Sequence, residues 1–207
     1  WVVVFFHYRG AWGSPGAFSF THVLEDVAAA VDWSLLAETR ERFAMDARPR
    51  ALVGHSMGGF AVLTAGAGDE DVACIASLAG ANMGLLGSAL ADDAERRAQV
   101  VGAFDGYTRG PLAGTGGEAL VAELEAQGDA WDLLERADDL ASRHVLLVAG
   151  ARDRVVPREV HHDPLLASLE AAGADVSAVV LPDDHAFSGS RIALARAVTD
   201  WLAQACR

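Results

Sequence analysis

The chain has 207 residues, 52% of them apolar, which is enough for one well-buried α/β domain, and no internal repeat divides it in two. Its 29 acidic against 16 basic residues give a net charge of −13, which argues against nucleic acid and anionic membrane surfaces as partners. All the basic residues are arginine, so lysine Schiff-base chemistry and a phosphate-binding P-loop are excluded. Cys74, in an apolar stretch, and Cys206, at the end, are far apart and read as neither a disulfide framework nor a zinc motif. No uninterrupted apolar run approaches a membrane span. The opening Trp1-Val2-Val3-Val4-Phe5-Phe6 is too short for a signal-peptide core and has no basic leader, so the expected location is the cytoplasm.

In chain order, Val2 to Phe6 is a continuous β-prone run, which predicts a strand buried on both faces. The chain begins with Trp in mid-strand, and the expectation is that residues precede it. Tyr8-Arg9-Gly10-Ala11-Trp12-Gly13-Ser14-Pro15-Gly16 is a Gly/Pro-punctuated loop. A helix follows, capped by Thr21, with Val23, Val27, Val31 and Leu35 as its stripe, running to about Phe43. Ala47-Arg48-Pro49 breaks it. Arg50 to Val53 is a short strand, Gly54-His55-Ser56-Met57-Gly58-Gly59 a tight turn, and Phe60 to Ala65 the start of a small-residue helix. Val72 to Leu78 is another buried strand. Alternation of this kind specifies a doubly wound, mostly parallel sheet with helices on both faces.

From Met83 to about Arg143 the rhythm breaks, with helix-like segments at 89–104, 118–126 and 131–140 around a Gly-rich hinge at 110–117. Residues 84–143 read as a helical lid inserted into a core of residues 1–83 and 144–207; a helical excursion that touches no substrate is the other reading. The rhythm then resumes. Val145 to Ala149 is a strand, Gly150 to Pro157 its exit loop, and Leu165 to Ala172 a helix closed by Gly173. Val176 to Leu181 is the last strand, Pro182 to Phe187 its exit loop, and Ile192 to Cys206 the closing helix.

Chemistry in open parallel sheets sits outside the carboxyl ends of the strands. Ser56, Asp153 and His185 all fall on such exit loops. A serine hydroxyl needs a base within hydrogen-bond reach, imidazole has a suitable pKa, and a carboxylate behind it fixes the tautomer. Asp183 and Asp184 are the other acids near His185, but neighbours within one turn rarely point at each other, so Asp153 is the expected acid. His55, inside the turn, reads as structural, with its side chain pointing away from Ser56. His161-His162-Asp163 reads as a solvated helix start rather than a metal site. His7 and His22 read as loop and surface residues, and His144 as a strand-start residue explained by capping or exposure.

These motifs resemble the α/β-hydrolase superfamily. Gly54-His55-Ser56-Met57-Gly58-Gly59 is similar to its nucleophile elbow, and Gly150-Ala151-Arg152-Asp153-Arg154-Val155-Val156-Pro157 to its acid loop. Asp184-His185-Ala186-Phe187 sits where its histidine loop lies. Tyr8-Arg9-Gly10-Ala11-Trp12-Gly13-Ser14 resembles the Arg-Gly loop of its esterase and peptidase branches. The resemblance runs from Trp1 to the end, the lid excepted. It implies an α/β-hydrolase fold that is N-terminally incomplete, because the strands before the Tyr-Arg-Gly strand, and the His-Gly loop that donates one oxyanion-hole N–H, have no counterpart.

The activity so implied is that of a serine hydrolase working on a small-molecule carboxylic ester through an acyl-enzyme. Ser56 is the expected nucleophile, His185 the base, Asp153 the orienting acid and the Met57 N–H an oxyanion donor. No cofactor or metal is implied. Trp12, Phe18 and Phe20 are either the wall of an acyl pocket or core aromatics that anchor the loop. The rivals are an acyl-peptidase or amidase, an acyltransferase or thioesterase with the same three residues, and a non-catalytic interaction module on the same scaffold.

Overall fold

Four strands form one parallel sheet in the computed structural model, which describes residues 1–46, 48 and 50–206. They are β1 (Arg50–His55), β2 (Val72–Leu78), β3 (His144–Gly150) and β4 (Asp175–Leu181), in spatial order β1-β2-β3-β4. The register pairs Gly54 with Ser77, Ser77 with Leu147, and Leu147 with Ala178. Because every pair is parallel, all four carboxyl ends open on the same edge.

Crossover helices follow from that geometry. Helix α3 (Met57–Ala67) packs on β1 and β2, with Gly66 against the Ile75 side chain. Helices α8 (Arg158–Ala171) and α9 (Arg191–Ala205) pack on the later strands. Side chains alternate along a strand. Ile75 therefore faces α3, while Cys74 and Ala76 face the other way, into a cluster with Leu146, Val148, Leu181, Phe187 and Trp201 of α9. At β2 and β3 the sheet is thus covered on both sides, which is why these central strands read as unbroken apolar runs. Helix α8 begins earlier than Leu165 and carries Pro164 within it.

This sheet, with the chain from Asp132 onward, makes one compact unit, Pro49–Asn82 and Asp132–Arg207. A 3-10 turn at Leu133–Arg136 and a short helix, α7 (Ala137–Leu140), pack against α3 and α8 within it. The closing helix is tied down covalently. Cys74 and Cys206 form a disulfide with a Cα–Cα distance of 6.0 Å. This corrects the expectation from spacing: the cysteines are 132 positions apart in sequence, but α9 returns over β2 and brings them together.

The second unit comprises Trp1–Arg48 and Met83–Trp131. It holds α1 (Phe20–Leu35), α2 (Ala37–Phe43), α4 (Met83–Ala91), α5 (Ala94–Thr108) and α6 (Gly117–Gln127). Ser19, not Thr21, caps α1, its Oγ accepting the His22 N–H at 3.0 Å. Glu123 adds a carboxylate at the same helix end, accepting the Phe20 and Thr21 N–H groups at 2.9 and 2.7 Å. The expected single helix to Phe43 is broken at Leu36, whose backbone is extended (φ −57°, ψ 135°). The break expected at Ala47 and Pro49 lies outside the described residues.

The units differ from the expected division at residues 1–48, at Met83 and at 132–143. Residues 1–48 group with the inserted helices, because Phe20 packs on Phe104 and Trp131 (ring centroids 5.8 and 6.4 Å apart) and Glu123 caps α1. Residues 132–143 group with the sheet. Val2 to Phe6 is no strand: it makes no ladder among the described residues, and Phe5 is 93% exposed. An apolar run becomes a buried strand only with a neighbour to bond, and this run has none in the four-stranded sheet. Among the described residues no helix is long and apolar enough to cross a membrane.

Candidate active site

The site is built on the edge where the strands of the sheet unit end. Ser56 joins β1 to α3 with φ 57° and ψ −120°, a left-handed backbone held by a non-glycine residue. Such strain persists only where the surroundings fix it. Here the Ser56 N–H donates to the Leu78 carbonyl at 2.9 Å, and the Ser56 carbonyl accepts N–H groups from Gly59 and Ala81 at 2.9 and 3.2 Å. A Cβ on Gly54 would overlap the Gly58 backbone, so the turn closes only with glycine there. Met57 is the first residue of α3, where the N–H groups have no helical acceptor.

Two later exit loops converge on this turn. The Asp153 carboxylate is almost wholly buried, and its Oδ1 accepts N–H groups from Val155 and Val156, both at 2.8 Å. Its Oδ2 lies 2.7 Å from His185 Nδ1. His185 Nε2 lies 2.9 Å from Ser56 Oγ. A carboxylate only accepts, so the His185 proton sits on Nδ1, and Nε2 is left to accept the Ser56 hydroxyl. The two loops approach closely because position 150 is glycine: a Cβ there would lie 2.7 Å from the Asp184 carbonyl oxygen. The Arg152 N–H also donates to the Asp183 carbonyl at 2.8 Å.

Asp183, weighed against Asp153 from the sequence, has a different place. It is buried and turned into its own loop, where Oδ1 accepts the Asp184 N–H at 2.9 Å. That bond holds its carboxyl below the usual carboxylate range. Burial opposes the shift, and the Ser190 hydroxyl and the backbone N–H groups of residues 189 and 190 add to it. Asp184 Oδ1 caps the next turn, accepting from Ala186 and Ser188.

The structure therefore gathers Ser56, Met57, Asp153 and His185 on one edge. Trp12, Phe18 and Phe20 belong to the other unit, where Phe18 and Phe20 are buried edge-to-face at 5.9 Å and Trp12 is 72% exposed. His161-His162-Asp163 is not a solvated helix start. His161 Nδ1 accepts the Asn82 N–H at 3.1 Å, and His162 is buried, with Nδ1 2.9 Å from Asp163 Oδ1. The His55 ring packs on that of His185 with centroids 4.8 Å apart.

A parallel sheet that presents a serine on a strained strand-to-helix turn, with imidazole and carboxylate on later exit loops, has the architecture of the α/β hydrolases. The sequence profile of the alpha/beta hydrolase family matches residues 1–197, and the chain belongs to that family. Among solved structures it is similar to an esterase of Pyrococcus furiosus, at 13% identity and a TM-score of 0.59, over 89% of this chain and 62% of that one. It is similar to a hydrolase from Pseudomonas aeruginosa at 20% identity and a TM-score of 0.60, over 94% and 77%. The acylaminoacyl peptidase of Pyrococcus horikoshii aligns at 14% identity and a TM-score of 0.64, over 88% of this chain and 27% of that one. At such identities the likeness is one of fold. The chain spans 62% of the esterase's length. No curated protein matches it.

Proposed function

We propose that the protein is a serine hydrolase that cleaves a small-molecule carboxylic ester through an acyl-enzyme. The observation that carries this reading is the unbroken path Ser56 Oγ, His185 Nε2, His185 Nδ1, Asp153 Oδ2, with links of 2.9 and 2.7 Å. Ser56 attacks the carbonyl carbon while its proton moves to His185 Nε2. Asp153 stabilises the imidazolium without taking the proton. The Met57 N–H, at the positive end of α3, donates to the oxyanion. His185 returns the proton to the leaving alkoxide, and water, activated by the same imidazole, releases the acid.

An ester is favoured because an alkoxide leaves more readily than an amine. The Cys74–Cys206 disulfide favours an oxidising compartment over the cytoplasm expected from the sequence. The test is a panel of p-nitrophenyl esters run against aminoacyl anilides and thioesters, with Ser56→Ala as the blank. Ester turnover that vanishes in the variant supports the reading. Preference for anilides assigns the same residues to a peptidase. Turnover that survives in Ser56→Ala refutes the role of Ser56.

A further inference from the structure

We propose that His55 is a positioning residue for the reaction, holding the histidine loop through a hydrogen bond to the backbone of His185 itself. The proposal rests on the reading of Ser56, His185 and Asp153 as a proton relay. His55 Nε2 lies 2.7 Å from the His185 carbonyl oxygen. A carbonyl only accepts, so Nε2 carries the proton and donates it. The His55 ring also packs on the His185 ring, tilted by 47°, and edge-on to Phe187 at 6.2 Å.

The loop's other backbone and carboxylate bonds end on neighbours of His185. Upstream, the Asp183 carbonyl accepts from Arg152 and the Asp183 carboxylate from Asp184. Downstream, the Asp184 carboxylate accepts from Ala186 and Ser188. His55 acts on the peptide that follows His185, the group whose rotation would swing the imidazole about its own backbone. Relay groups work when held within about 0.5 Å and 10–20° of the productive geometry. His55 comes from the turn that carries Ser56, being its immediate neighbour in sequence. One short segment thus presents the hydroxyl and fixes the backbone of the base that must meet it, so that nucleophile and base move together.

The experiment compares His55→Phe, which keeps a ring and loses the donor, with His55→Gln, whose amide reaches the position of Nε2. Steady-state ester hydrolysis and thermal melting are recorded for each. The expected result is a kcat about 10- to 100-fold lower in His55→Phe with KM within about twofold, since small misplacements of reacting groups cost on that scale. His55→Gln is expected to keep kcat within about threefold. If the Phe variant does not fold, His55→Asn, whose shorter amide falls short of the carbonyl, takes its place with the same expected loss. Undiminished kcat in His55→Phe overturns the proposal. So does a His55→Gln enzyme as slow as His55→Phe when both melt like the wild type. A wild-type protein without Ser56-dependent turnover refutes the relay instead, so the two failures are distinguishable.

Discussion

Removing the Cys74–Cys206 disulfide, by reduction or as Cys206→Ser, should cost the sheet unit much of its stability. The bond closes a loop across 132 positions of sequence. Loop-closure entropy for that span is about 5 kcal/mol at 25 °C, and residual order in the denatured chain reduces it to about 3–5 kcal/mol. A domain of this size has only about 5–15 kcal/mol in all. With a urea dependence of about 2–3 kcal/mol per molar, the midpoint should fall by about 1–2 M. The loss should reach the site, because Cys74, Trp201 of α9 and Phe187 of the histidine loop share one buried cluster. The assay is urea unfolding by circular dichroism on the oxidised, reduced and Cys206→Ser proteins, with ester hydrolysis followed in parallel. If the three midpoints agree within about 0.2 M, the difference is too small for the loop-closure cost, and the reasoning is refuted.

Three further outcomes follow from the site. Asp153→Asn should lower kcat about 10³–10⁴-fold, measured by ester hydrolysis, without unfolding the protein. Its carbonyl would remain on the Val155 and Val156 amides, forcing the NH₂ toward His185 Nδ1 and moving the imidazole proton to Nε2, where it can no longer accept from Ser56. Gly54→Ala should destabilise by more than about 3 kcal/mol in denaturant unfolding, since the new Cβ meets the Gly58 backbone rather than a side chain that could move. Asp183, with its lowered pKa, stabilises the fold fully above the unfolded aspartate value of about 4, and that contribution is lost as pH falls through the lower folded value. The difference in urea midpoint between wild type and Asp183→Asn should therefore be constant above pH 4 and close below it.

The parts legible in the sequence are those set by local pattern. Strands β2, β3 and β4 were marked by apolar runs between Gly and Pro signals, and Ser56 by two glycines that only a tight turn needs. Asp153 and His185 followed from parallel topology, which puts every exit loop on one edge. What depends on distant partners was not legible. The run Val2 to Phe6 has strand chemistry but no neighbouring strand in the sheet. The cysteine pairing depends on the phase of α9 over β2, which spacing does not encode; an even cysteine count with one member in a core strand was the available signal. The break at Leu36 carries neither Gly nor Pro. It follows Ser34, whose hydroxyl donates to the Val31 carbonyl at 2.7 Å, a bond of the kind that often bends helices. The placement of the His55 ring depends on His185 and Phe187, partners far away in sequence that residue type alone does not name.

The most direct measurement is intact-protein mass spectrometry after treatment with a fluorophosphonate, followed by peptide mapping. One adduct is expected, on Ser56, formed in step with loss of ester hydrolysis and absent from Ser56→Ala. An ester-hydrolysing protein that takes no adduct, or carries it on another residue, would rule out Ser56 as the nucleophile.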